Sequence, residues 1–132
     1  MNAADRLFVD VSLVVSTCIL GLIYYGVSQR RNRARHVRIM TVAGILDITL
    51  VLAIVAVRRA LPKAMEADTT ILRVHLAFSI PALLLWFTAF HTGRRRLQGR
   101  CVRLHRVNAI AFLIARTGNW VTSFFIHPPP ED

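Results

Sequence analysis

Three histidines, His36, His75 and His105, stand at or just inside the margins of long apolar runs. Imidazole is the commonest protein ligand for zinc, copper and haem iron, so histidines in such places are candidate ligands. His36 and His105 each open an apolar run, and His91 closes another. Two histidines from facing helices can ligate haem b. Three, His36, His105 and His91, can hold copper or zinc. Met40 follows His36 by one helical turn and offers a soft thioether suited to Cu(I). The competing use is structural, because histidine at a membrane edge also bonds headgroups or caps helix ends. For His36 and His105 both uses stay open. For His91 and His127, read as loop and tail residues, the structural use is expected.

Two charged residues sit deeper. Asp47 follows His36 by 11 residues, and Arg116 follows His105 by 11. Eleven residues return a helix to within about 20° of the same face. If both helices start at one membrane edge, Asp47 and Arg116 lie at matched depth, and opposite charges there are expected to pair. The pair would at least lock helix register, and a proton or substrate role is the sharper alternative.

The elements that must position these residues are apolar. The 132 residues carry 17 Lys+Arg against 7 Asp+Glu, yet 55% of the chain is hydrophobic. The apolar residues gather in four blocks, Leu7–Val27, Val37–Val57, Ile71–Phe90 and Val107–Ile126. Each is about 20 residues, enough to cross a hydrocarbon core of about 30 Å. The expected fold is all-α: a single integral membrane domain, a four-transmembrane-helix antiparallel bundle. Almost nothing is left for a soluble domain. The first block carries its positive charges after the apolar run rather than before it, so it reads as a retained span and not a cleaved signal.

The basic residues place the loops. Five arginines lie in the 28–38 segment and six in the 91–106 segment, against four basic residues in the other flanking pieces. The positive-inside rule puts the two richer segments in the cytoplasm and both termini on the exterior or periplasmic side. The location implied is the inner (plasma) membrane, multi-pass. Arg58 and Arg59 run against this count at the outer end of span 2. The flanking charges suit membrane lipids as partners, and no motif accompanies them that would suggest nucleic acid. Cys18 and Cys101 differ in depth and match no zinc spacing, so both read as reduced and structural.

Polar residues in lipid must face protein or water, so their angular positions carry information. Span 4 aligns His105, Asn108, Arg116, Asn119 and Ser123 within about 80° of arc. Span 3 aligns His75, Ser79, Trp86 and Gly93, and Pro81 is expected to kink it. Span 1 aligns Asp10, Thr17, Gly21, Tyr24 and Ser28. An outer polar layer of Asp10, Arg73, His75 and His127 follows as an expectation.

Several short motifs carry a resemblance. Arg35-His36-Val37-Arg38-Ile39-Met40 opens span 2, Leu72-Arg73-Val74-His75-Leu76-Ala77 opens span 3, and Leu104-His105-Arg106 opens span 4. Thr117-Gly118 and Val121-Thr122 lie further along. Over roughly residues 35–126 the chain resembles the CtaM/YozB-like family of small four-span membrane proteins, a domain-of-unknown-function family that includes assembly factors of haem–copper oxidases. The resemblance implies cofactor-binding roles for His36, His75 and His105, with respiratory oxidase subunits as partners. That family tends to carry a histidine near the outer end of span 2, where this chain reads Val57-Arg58-Arg59. Its aromatic segment in span 4 is replaced by Asn119-Trp120-Val121-Thr122-Ser123. Both departures bear on an outer site, and His75 would need another partner such as His127 or Asp10.

The leading expectation is a non-enzymatic accessory membrane protein that helps assemble a haem–copper oxidase by handling haem or copper. One rival is a small b-type cytochrome with His36/His105 ligation. Another is a structural subunit of a larger membrane complex. No nucleophile–base arrangement supports an enzyme.

Overall fold

The computed structural model describes residues 3–60, 69–99 and 102–126, and among them the chain is all-helical. The elements are α1 (Ala3–Ser28), a single 3-10 turn (Gln29–Arg31), α2 (Arg33–Ala60), α3 (Thr69–Leu97) and α4 (Val102–Ser123). They form two compact units, Met1–Ala67 and Asp68–Asp132. The first is the α1–α2 hairpin and the second the α3–α4 hairpin.

Local chemistry sets the turns. In the first unit Asn32 caps α2: the Arg35 backbone N–H donates to Asn32 Oδ1 over 3.2 Å, satisfying one of the donors a helix start leaves open. In the second, Gln98 N–H donates to Arg95 O and Gly99 N–H to Arg96 O, each over 3.0 Å. Gly99 takes φ +76°, the left-handed conformation that commonly stops a helix. The expected break at Leu61-Pro62 lies outside the described residues.

Three segments are long and apolar enough to cross a membrane: Arg6–Arg31, Arg33–Val57 and Thr70–Arg96. At 22 residues α4 spans about 33 Å, but Asn108, Arg116 and Asn119 dilute its apolar character. The helices outrun the apolar blocks. α3 continues to Leu97, so His91 lies within a helix and not in a loop as the block boundaries suggested. The reason is that Arg94, Arg95 and Arg96 end an apolar block without ending a helix, since arginine is a good helix former and favours a C-terminal turn. α3 also runs without interruption through Pro81.

The buried residues are few and mostly small. In the first unit they include Ile19, Leu20, Ile23, Gly26 and Ala43, and in the second Ala82, Phe112 and Ala115. Large apolar side chains such as Leu7, Val14, Leu52, Leu84 and Ile114 are exposed instead. Small residues at helix contacts with large apolar residues outside is the distribution that lipid-embedded helices adopt.

Two glycines set how closely the helices approach. A Cβ on Gly26 would come within 2.9 Å of Met40 Sδ and 3.0 Å of Ile39 Cγ2. A Cβ on Gly118 would run into the Phe78 ring. Each hairpin therefore packs one helix's side chains directly onto a glycine of the other.

Candidate functional site

In the first unit, His36 lies on the side of α2 that faces α1. Its Nδ1 sits 2.6 Å from Gly26 O. Gly26 is within the last turn of α1, where carbonyls lack helical partners, so the contact caps that helix. A carbonyl oxygen only accepts, so His36 Nδ1 must carry the proton. In the neutral ring Nε2 then holds the lone pair. Met40, one turn further along α2, packs its sulfur into the notch left by Gly26.

In the second unit the two helices are joined by polar pairs. His75 Nδ1 lies 2.9 Å from Thr122 Oγ1. One turn on, Ser79 Oγ lies 2.5 Å from Asn119 Oδ1. Near the other end, Thr88 Oγ1 donates to Asn108 Oδ1 over 2.9 Å, and Asn108 Nδ2 donates to Leu85 O over 3.2 Å. The last pair sets Thr92 Oγ1 3.2 Å from His105 Nδ1. His75 and Thr92 are 17 residues apart on α3, and His105 and Thr122 are 17 apart on α4. Each helix thus gives a histidine at one end and receives the other's histidine on a threonine at its far end. Seventeen residues span about 25 Å of helix.

Both threonine hydroxyls also reach backbone carbonyls of their own helices, Thr122 with Gly118 O at 2.9 Å and Asn119 O at 3.0 Å. Thr92 does the same, with Thr88 O at 2.8 Å and Ala89 O at 3.2 Å. A hydroxyl that donates to its own helix offers its oxygen as an acceptor to the imidazole, the arrangement that suits the Nδ1–H tautomer. In that tautomer Nε2 carries the lone pair. Metal-ligating histidines are usually oriented in this way, with one ring N–H tied to the protein and the other nitrogen turned to the metal.

Between the two pairs of polar rungs the α3–α4 seam is apolar. Ala82, Ala115 and Phe112 are buried there. Arg116, only 2% exposed, is the exception. It lies in the C-terminal half of α4. Asp47 is half-buried in the middle of α2, in the other unit.

Sequence reasoning found both halves of the Ser79–Asn119 rung and one half of each of the other three. The α4 stripe of His105, Asn108 and Asn119 does face α3. On α3, His75 and Ser79 are in the seam, and Gly93 leaves room for the His105 ring, whose Cε1 would be 3.3 Å from an added Cβ. Trp86 instead packs on its own helix, against Phe87 and Phe90. Thr88, Thr92 and Thr122 were missed as partners. In a straight helix Thr122 sits about 100° from His105, outside the arc of the stripe, so it flanks the seam from the other side. The matching 17-residue His–Thr spacing in both helices was the available signal.

Other expectations fared differently. Within its own unit His75 has Thr122 as a partner. His127 and Cys101 lie outside the described residues, and Cys18 is a free, exposed thiol. The α1 stripe of Asp10, Thr17, Gly21, Tyr24 and Ser28 is exposed, and α1 turns Ile19, Ile23 and Gly26 inward instead. Thr17 and Ser28 can lie there because their hydroxyls donate back to Leu13 O and Tyr25 O. His91 is exposed on α3, while His105 is turned toward Thr92. No group of three or more His, Cys, Asp or Glu that could hold a metal occurs among the described residues.

For haem or copper, imidazole is the donor type these helices offer, with Met40 as a soft neighbour of His36 in the first unit. His75 and His105 occupy opposite ends of their hairpin, while His91 precedes Thr92, the partner of His105, at the turn end. No protein-family model, curated protein or solved structure matches the chain.

Proposed function

We propose that this chain is a non-enzymatic accessory protein of the inner membrane. Its four helices cross the bilayer as an antiparallel bundle, with both arginine-rich turns cytoplasmic, and it handles haem or copper for assembly of a respiratory oxidase. The observation that carries the cofactor reading is that His36, His75 and His105 are each held at Nδ1, by Gly26 O, Thr122 Oγ1 and Thr92 Oγ1. In the Nδ1–H tautomer such an acceptor fixes the ring and raises the basicity of Nε2. Holding the ring costs no induced reorganisation when a ligand arrives.

His36 and His105 are the proposed primary ligands, because each begins its helix beside an arginine-rich turn. Met40 is the proposed soft ligand for Cu(I), and His91 a third imidazole at that end. Haem or copper bound there would supply a redox-active centre to be passed on. The polypeptide itself binds, orients the imidazoles and excludes water. Asp47 and Arg116 are proposed as an ion pair within the membrane that keeps α2 and α4 in register.

A second reading has its own support. The α3–α4 rungs are satisfied within the hairpin, which is what a purely structural subunit needs. Protein purified in mild detergent from cells supplied with haem precursor and copper separates the readings. A reduced-minus-oxidised difference spectrum with a b-type α-band supports haem. Copper in a fixed ratio without that band supports copper handling. Neither result leaves only the structural role.

A further inference from the structure

The arginines at the hairpin turns carry positive charge that the histidine reading does not use. At the turn of the second unit, Arg94, Arg95 and Arg96 end α3, while Arg103 and Arg106 begin α4, and all five are exposed. Residues 69–126 contain no aspartate or glutamate. The described residues of this unit therefore offer no carboxylate to neutralise them. Arg103 also lies in the first turn of α4, where the helix dipole disfavours cations and no acidic residue offsets it. The first unit repeats the pattern. Its turn holds Arg30, Arg31, Arg33, Arg35 and Arg38, all exposed, and no carboxylate occurs between Asp10 and Asp47. Here too α2 opens with cations and without an acid.

The residue type adds a second clue. Of the 17 basic residues, Lys63 is the single lysine. Guanidinium grips phosphate through two parallel hydrogen bonds, whereas ammonium acts as a point charge. At the second turn Arg94 also stacks over the Phe90 ring, 5.9 Å from its centroid, so its stem lies along apolar surface with its head outward. A helix end with apolar residues below and guanidinium groups above matches the level of lipid phosphates.

We propose that the arginine-rich turn of each hairpin is a binding site for the phosphate of anionic phospholipids in the protein's own membrane. The proposal rests on the membrane reading but not on haem or copper. Several arginines share a few headgroups, and the lipid supplies the negative charge that the sequence omits. Long side chains on two helix ends let each turn gather phosphates without a preformed pocket.

Native mass spectrometry of the full-length protein, prepared without added haem or copper, tests this. The protein is offered phosphatidylglycerol and phosphatidylcholine in equal amounts. Retention of phosphatidylglycerol in preference by about tenfold or more is expected from several arginines acting together. Replacing Arg94, Arg95, Arg96, Arg103 and Arg106 with glutamine should sharply reduce that preference, and replacement with lysine should keep part of it. Equal retention of the two lipids by the unaltered protein would overturn the proposal, whatever the variants do. So would displacement of the lipid by equimolar inorganic phosphate or a short single-stranded oligonucleotide. Because no cofactor is present, failure here leaves the cofactor reading untouched.

Discussion

His75 Nδ1 lies 2.9 Å from Thr122 Oγ1, and the direction of this bond decides which nitrogen of the ring carries the proton. Thr122→Val removes the acceptor while keeping the shape. Nitrogen-15 NMR of the labelled protein should then show His75 losing its preference for the Nδ1–H tautomer, whereas Thr122→Ser should keep it. The bond itself is worth about 1 kcal/mol, so the fold should survive. An unchanged His75 spectrum in the valine variant would show that Thr122 does not set the tautomer.

Helix contact in the second unit depends on Gly118. Gly118→Ala drives a methyl into the Phe78 ring and should cost about 1–3 kcal/mol in thermal or denaturant unfolding. Phe78→Leu in the same chain should recover part of the loss. Gly21 offers the matched control, since a Cβ there meets nothing within 4 Å. Gly21→Ala should be neutral or gain up to about 1 kcal/mol from helix propensity alone. Equal effects at the two glycines would contradict the described packing.

The Ser79–Asn119 rung can be weighed by a double-mutant cycle with Ser79→Ala and Asn119→Ala. Interhelical hydrogen bonds in membranes average about 0.6 kcal/mol, so coupling of that order is expected. The two hydroxyl and amide groups are 2.5 Å apart. Additive single effects would mean that the rung forms no bond of consequence.

Asp47 and Arg116 make a separate test. Arg116 is almost fully buried. Reversing either charge alone should lower accumulation in the membrane, because a lone charge at mid-bilayer costs about 2.5–3.5 kcal/mol on the insertion scale. The exchange Asp47→Arg with Arg116→Asp should restore it. Failure of the exchange would remove the proposed pair.

Much of the helical fold was legible in the sequence, because four apolar blocks of membrane-crossing length admit little else. The block ends were less so. Arg94 to Arg96 stopped the hydrophobic pattern but not the helix, which placed His91 wrongly in a loop. The α4 stripe gave the correct face for His105, Asn108 and Asn119, since amides and imidazole avoid lipid. Threonine is harder to read. Its hydroxyl can be satisfied on its own backbone, as Thr17 shows, or serve a second partner as well, as Thr92 and Thr122 do. Nothing in residue type separates these cases. Only the repeated spacing from His75 to Thr92 and from His105 to Thr122 does. Thr17 and Ser28 in the exposed α1 stripe show the same ambiguity, since each hydroxyl bonds its own helix.

The central claim is that Nδ1-anchored histidines present Nε2 to haem or copper. The direct measurement is haem and copper content per chain in the purified unaltered protein, beside His36→Ala and His105→Ala, each confirmed helical by circular dichroism. The account predicts one of the two cofactors at a fixed ratio to the chain in the unaltered protein, and its loss in both variants. Background levels of both cofactors in the unaltered protein, or undiminished loading in the two variants, would contradict it.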